Sequence, residues 1–212
     1  MNKQEYWNRV YERKEEVSAL LRSYWHHYSH MGTWQFWIVA AMLVLPLVVL
    51  YFTLDRKRIL EVLFYGYTVH LLWTYVDMTL ELNNYFVHTY MLAPFLPFGL
   101  SVTASLLPVS FLLLYQYCLN HNKNFYLYSV LLSGLFAYGF AVVSSSVGIL
   151  QVRKGMNYFH LFLIDLAVAY CSYWLTKVVM AMKNNKDGPR SHFIIIKKLN
   201  FNKYRIYDKA KS

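Results

Sequence analysis

Three long stretches of the sequence contain no charged residue, and this feature limits the possible folds more than any other. No Lys, Arg, Asp or Glu occurs in residues 23–54, 82–122 or 124–152. A helix that crosses a membrane needs about 20 predominantly apolar residues, and each stretch is longer than that. Charged residues make up 15% of the chain, against about 25% in soluble globular proteins. The sequence therefore predicts an all-α integral membrane protein whose first partner is the lipid bilayer.

Five transmembrane helices account for the apolar residues, and they place the membrane domain at residues 33–182. The predicted spans cover about 33–54, 59–80, 98–119, 125–150 and 157–182. Prolines at 94 and 97 leave only residues 82–93 before the third span, which is too short for another crossing helix. We therefore expect residues 82–97 to form an interfacial or re-entrant connection. Six spans is the alternative.

Two segments flank this domain. Val10, Val17 and Leu21 recur at a helical spacing within residues 1–32, which predicts an amphipathic helix that lies on the membrane or against a partner. Residues 183–212 carry nine Lys or Arg against two Asp. A basic segment next to a span is normally cytoplasmic and attracted to anionic lipid, so no nucleic-acid partner is expected.

The distribution of Lys and Arg also predicts the orientation. With the N-terminus outside the cell, thirteen basic residues fall on the cytoplasmic side and seven on the outer side. Basic residues favour the cytoplasmic side of short connections. The sequence therefore predicts a multi-pass cell-membrane protein with its N-terminus outside and its C-terminus in the cytoplasm.

The second span carries a stripe of polar side chains. His70, Thr74, Asp77 and Glu81 fall within about 60° of one another at about 100° per residue. An acid facing lipid near the bilayer centre costs about 2.5–3.5 kcal/mol. We therefore expect this stripe to face other helices or a water-filled cavity.

The fifth span contributes His160 and Asp165, which enter from the same side of the membrane as Asp77. A candidate polar pocket thus contains His70, Asp77, Glu81, His160 and Asp165. His160 and Asp165 are about 140° apart around their helix, so both cannot point to one place. We expect Asp165 to contact His70 or His160, or to line a hydrated cavity. His88, His121 and His192 fall in connections or in the tail, without an apparent partner.

Three interpretations of this pocket remain open: a hydrogen-bond network that fixes helix packing, a path for an ion or small molecule, and a catalytic or metal site. The spacing matches no known metal-binding or catalytic motif. His26 and His30 are one helical turn apart but lack a third ligand. We therefore predict no catalytic residue, no metal site and no cofactor.

The fourth span carries small residues at every fourth position, namely Ser129, Ser133, Ala137, Ala141 and Ser145. Small residues let membrane helices approach closely. We expect this ridge to pack against another helix, within the chain or in a partner. A hydroxyl-lined pore is the alternative.

The layout of the chain resembles that of a known family. The basic turn Leu54-Asp-Arg-Lys-Arg58, the prolines at 94, 97 and 108, and the basic C-terminal end are similar to small uncharacterised multi-pass membrane proteins of spore-forming Gram-positive bacteria. The resemblance covers about residues 34–180. It implies a location in a bacterial plasma membrane, and it implies no catalytic residues.

These observations predict a non-enzymatic membrane component or assembly subunit, alone as a homo-oligomer or with other membrane subunits. The first alternative is a small transporter or ion-pathway protein that uses the pocket between spans two and five. The second is an intramembrane enzyme that acts on a lipid or isoprenoid. A dry packed core favours the subunit, a connected wet cavity favours transport, and a closed pocket holding lipid favours the enzyme.

Overall fold

The structure is a computed structural model that describes residues 1–184. The chain forms seven α-helices in this part: α1 (Lys3–Tyr24), α2 (Trp34–Thr53), α3 (Ile59–Leu82), α4 (Leu107–His121), α5 (Phe125–Gly134), α6 (Ala141–Ser146) and α7 (Tyr158–Asn184). Three π-helical segments adjoin them, at Trp25–Ser29, Val102–Leu106 and Leu135–Phe140, and a 3₁₀ turn covers Arg56–Arg58. Two short strands complete the described residues: β1 (Phe86–His88) and β2 (Leu150–Val152).

Within residues 1–184, five helical stretches are long and apolar enough to cross a membrane. They are Trp34–Thr53, Arg56–Leu82, Val102–Asn120, Phe125–Ser146 and Tyr158–Lys183. The predicted number of apolar helices is therefore confirmed. The basic segment predicted at 183–212 lies, beyond Asn184, outside the described residues.

Two of these helices differ from the predicted spans by four residues at one end. The third begins at Val102 rather than 98, because the residues before it form turns that include Pro97. The fourth ends at Ser146 rather than 150, since Gly148 adopts a φ of 75° that right-handed helices exclude. The chain there turns into β2.

The prediction of an all-α fold was wrong in one respect, because β1 and β2 pair into a small antiparallel sheet. Phe86 pairs with Val152 and His88 pairs with Leu150. The two strands come from the connections that follow α3 and α6, where backbone amides have no helical partner. Pairing satisfies them and ties both connections to the same end of the protein, which we call the sheet end.

The segment after α1 is also joined to the sheet end. Ser29 is fully buried, and its hydroxyl donates to the Met91 carbonyl at 2.8 Å and accepts from the Met91 amide at 2.9 Å. The indole of Trp25 donates to the Leu92 carbonyl at 3.1 Å. In contrast, α1 itself buries no residue. The N-terminal segment and the connection after α3 therefore lie on the same side.

Aromatic packing fills the space between α3 and α4 at the opposite end. The rings of Tyr65 and Tyr115 stack with centroids 4.4 Å apart, and Phe125 packs edge-on against both. A side chain at Gly66 would overlap Leu112, so this glycine lets the two helices approach. The end of the protein away from the sheet is thus closely packed.

The described chain divides into two compact units. The first comprises Met1–Ser172, which contains the sheet and the helices up to the first part of α7. The second begins at Tyr173 within α7. In the second unit, the Lys177 ammonium lies 5.3 Å from the centroid of the Tyr173 ring, at cation–π distance.

Candidate functional site

A buried pair of ionisable side chains lies at the sheet end of the first unit. Nε2 of His88 is 3.1 Å from Oδ1 of Asp77, and both side chains are almost completely inaccessible to solvent. Asp77 lies in the last turns of α3, and His88 lies in β1. Residues 86 and 88 of the strand face inward while residue 87 is partly exposed. Strand alternation therefore directs His88 towards the helix that carries Asp77.

Gly99 provides the space that this pair occupies. A Cβ built at Gly99 would overlap Oδ2 of Asp77 and would lie 2.6 Å from Nε2 of His88. The backbone φ of Gly99 is not in the left-handed region, so the requirement for glycine is one of space. Any larger residue at this position would displace the carboxylate or the imidazole.

The surroundings of His88 favour its protonated form. Burial lowers the pKa of His88, but the hydrogen bond to Asp77 and the negative charges of Asp77 and Glu81 raise it, and the net effect is a raised pKa. A nearby carboxylate stabilises a protonated imidazole in this way. The Asp77–His88 contact is therefore an ion pair over a wider pH range than an ordinary histidine would allow.

Asp165 of α7 approaches the same place from a different helix. Its side chain is 3% exposed, and its Oδ1 has no hydrogen-bond partner in the described residues. The indole of Trp73 lies close enough to the Asp165 carboxyl to interact with it. Within the described residues, however, neither Trp73 Nε1 nor Asp165 Oδ1 makes a hydrogen bond of good geometry, which is rare for buried polar groups.

A small cavity connects these groups. Asp77, His88, Trp73 and Asp165 line it together with the apolar side chains of Phe86, Leu107, Phe136, Phe140, Leu150 and Leu161, among others. Its volume is about 40 Å³. That volume accommodates about three water molecules, at about 10–15 Å³ each. The site is therefore a mostly apolar cavity with two carboxylates and one imidazole in its wall.

The structure brings together only part of the predicted pocket. Asp77 and Asp165 line one cavity, whereas His70 does not: its Nδ1 lies 2.8 Å from the Thr103 carbonyl, on the π-helical segment before α4. The expected contact of Asp165 with His70 or His160 is absent from the described residues. Glu81 lies near His88 and raises the pKa of His88 by its charge. Glu81 is not in the cavity wall.

His160 lies outside the cavity altogether. It is exposed in the first turn of α7, where its amide donates to Asn157 Oδ1 at 3.1 Å. It borders a shallow surface depression that also includes Tyr85 and Lys154. Helical geometry explains this position, since a helix that directs Asp165 inward directs His160 away.

The histidine that does contact an acid, His88, was not predicted to have a partner. The sequence around it shows no helical or alternating pattern that would place it opposite Asp77. Its position depends on the return of the chain through β1 and on pairing with β2, which joins segments about 60 residues apart. The role of Gly99 was not predicted either, because it depends on the same position of His88 beside Asp77.

The predicted small-residue ridge lies inside the fold. Ser129, Ser133, Ala137 and Ala141 are buried, and Ser145 is half-buried. Ala137 and Ala141 pack in one cluster with Phe86, Leu150 and Leu161, and both line the cavity. Ala137 and Ala141 of the ridge therefore face β1, β2 and α7 of the same chain.

No group of three or more His, Cys, Asp or Glu side chains within residues 1–184 is arranged to hold a metal ion. Comparisons of the chain with protein-family models, with curated proteins and with solved structures found no match.

Proposed function

We propose that the chain is a multi-pass protein of a bacterial plasma membrane and works there as a non-enzymatic membrane component or assembly subunit. Its five long apolar helices support the membrane location. Most apolar side chains in the second half of α2 are exposed, namely Val44, Leu45, Leu47, Val48, Val49, Tyr51 and Phe52. A surface of this kind requires lipid or another apolar helix to cover it. This exposed face of α2 is the feature that supports an assembly role.

The size of the cavity supports a non-enzymatic role. Sites for organic ligands have volumes of about 300–1,000 Å³, whereas the cavity lined by Asp77 and Asp165 has a volume of about 40 Å³. A lipid headgroup or an isoprenoid does not fit in that space. The buried pair and the cavity are better suited to holding α3, β1 and α7 together than to transforming a substrate.

The orientation in this proposal has the sheet end outside the cell. Hydrogen bonds from Trp25 and Ser29 to Leu92 and Met91 place the N-terminal segment on the side of the sheet. The basic 3₁₀ turn Arg56–Arg58 lies at the other end of α2 and α3. Basic residues favour the cytoplasmic face, so we assign the sheet end to the outer face.

An ion path is the second candidate function, because two carboxylates line one cavity. Asp165 and Asp77 would supply negative charge near the outer face. The stacked rings of Tyr65 and Tyr115 close the opposite end between α3 and α4. The subunit proposal is favoured because this packing leaves the cavity without a continuation between those helices.

Site-specific photocrosslinking in native membranes tests the assembly role. A photoreactive residue at Val48, which is exposed on α2, is expected to give a discrete adduct with a protein chain. The same residue at Val39, which is 4% exposed on the same helix, is the matched control and should give no adduct with another chain. If the probe at Val48 forms adducts only with lipid, α2 faces the bilayer and the assembly proposal fails.

A further inference from the structure

Two buried polar atoms that lack a hydrogen bond of good geometry within the described residues determine which molecule the cavity can hold. Trp73 Nε1 can only donate a hydrogen bond, and Asp165 Oδ1 accepts one when the carboxyl is ionised or presents its carbonyl oxygen. Both side chains line the cavity. A bound molecule that satisfies both atoms must accept from the indole and donate to the carboxyl. Water does both, whereas an ammonium ion only donates and a halide only accepts.

The charges around the cavity determine the state of Asp165. The titratable groups in its wall are Asp77 from α3, His88 from β1 and Asp165 from α7, and Glu81 lies next to His88. Among residues 1–184, no Lys or Arg lines the cavity. The imidazole of His88 already contacts Asp77, with Nε2 3.1 Å from Oδ1. An ionised Asp165 would therefore be a buried negative charge without a cation, which is highly unfavourable in an apolar site.

We propose that this cavity is a proton-binding site, in which Asp165 carries one exchangeable proton and a water molecule joins its carboxyl to the Trp73 indole. The proton neutralises the carboxyl in its apolar surroundings. The water accepts a hydrogen bond from Trp73 Nε1 and donates one to Oδ1, while the O–H of the other carboxyl oxygen donates a hydrogen bond to a second water and keeps its proton. The ligands of the site are thus a proton and about two water molecules, and there is space for about three.

This inference goes beyond the proposed function and does not depend on it. A subunit, an ion path or a purely structural protein could each contain such a site. A negative result in the photocrosslinking experiment would leave the proton site unaffected. A negative result for the proton site would not change the support that the exposed face of α2 gives to the assembly role.

Infrared difference spectroscopy of the full chain in lipid nanodiscs tests the proposal. At neutral pH, a protonated carboxyl gives a carbonyl band separate from those of carboxylates and amides, and this band shifts in D₂O. We expect Asp165→Asn to lose one such band. Asp165→Glu should shift it, which keeps the assignment testable if the Asn variant does not fold. Glu81→Gln is the matched control, because it removes a neighbouring buried carboxyl that lies outside the cavity wall.

The bridging water is tested with Trp73→Phe in the same experiment. Loss of the indole donor should shift the Asp165 carbonyl band without removing it. If neither Asp165 variant changes the bands of protonated carboxyls relative to the wild type, Asp165 is ionised and the proposal is overturned. Loss of the band on addition of sodium or ammonium chloride at constant pH would assign the site to a cation instead, and would also overturn it.

Discussion

At the scale of single residues, the contact between Asp77 and His88 is the interaction whose loss we expect to be most harmful. Removal of one partner from a buried ion pair leaves an uncompensated charge and costs about 3–5 kcal/mol. We therefore expect His88→Ala to lower the free energy of unfolding by about that amount in a denaturant titration. His160→Ala is the control, since His160 is exposed, and it should change stability by less than about 0.5 kcal/mol. Equal effects of the two substitutions would contradict the pairing.

The raised pKa of His88 also predicts how stability depends on pH. A group whose pKa is higher in the folded state than its ordinary value of 6.5 stabilises the fold fully below that value. This contribution is lost as the pH rises through the higher folded-state value. Thermal unfolding of the wild type should therefore occur at lower temperature as the pH increases above about 6.5.

The variant His88→Gln isolates this effect, because glutamine can donate a hydrogen bond to Asp77 but does not titrate. We expect its melting temperature to be lower than that of the wild type at pH 6 and to change less between pH 6 and pH 9. A wild type that becomes more stable over that range would show that His88 is neutral in the folded protein.

Gly99 allows a sharp test of the space around the pair. In Gly99→Ala the new Cβ overlaps the Asp77 carboxylate and approaches His88 Nε2 to 2.6 Å, so the pair must move apart. Overpacking of a buried site costs about 1–3 kcal/mol. Gly134→Ala is the matched control, because a Cβ there meets nothing within 4 Å. It should be neutral or stabilising in the helix, and an equal loss in both variants would refute the steric argument.

The sequence predicts only part of the site at this scale. An acid that faces lipid is costly, and this alone predicted that Asp77 and Asp165 point away from lipid. Both line the cavity. The identity of their neighbours could not be derived in the same way. Helical spacing relates residues on one helix, whereas the partner of Asp77 comes from a strand whose position depends on a distant second strand.

At the scale of secondary-structure elements, the apolar helices were predictable because each follows from a continuous run of apolar residues. The π-helical segments and the sheet were not, since each depends on contacts with other elements. Ser105 in the segment Val102–Leu106 donates to the Leu43 carbonyl of α2 at 2.6 Å. That bond lies near Pro46, which lacks an amide donor and weakens the helix locally. The apolar residues of one helix do not indicate which hydrogen bonds it forms with another element.

The small-residue ridge gives a prediction at the same scale. Ala137 is 1% exposed in the segment Leu135–Phe140 and packs with Leu161 of α7. Ala137→Leu inserts three heavy atoms into this contact, so we expect a loss of about 1–3 kcal/mol in stability. Val143→Leu is the control, because Val143 is 60% exposed on α6. Unchanged unfolding of Ala137→Leu in detergent would mean that the ridge does not make this contact.

At the scale of the whole molecule, the hydrogen bonds at the sheet end limit the possible topologies. They place the N-terminal segment and the connections that carry β1 and β2 on one side. If all five apolar helices cross the membrane, as we propose, the C-terminal segment is expected on the other side. The hydrogen bonds leave the choice of outer face open, and the distribution of Lys and Arg favours the sheet end.

Thiol labelling of intact cells tests this topology. In a chain whose Cys118 and Cys171 have been replaced by serine, Asn83→Cys places a single thiol in the exposed connection after α3, and Ser212→Cys places one at the C-terminal end. An impermeant maleimide should label the Asn83→Cys variant in intact cells and the Ser212→Cys variant only after lysis. The reverse pattern would invert the orientation. Labelling of both variants in intact cells would contradict five crossings, because the two positions would then lie on the same side.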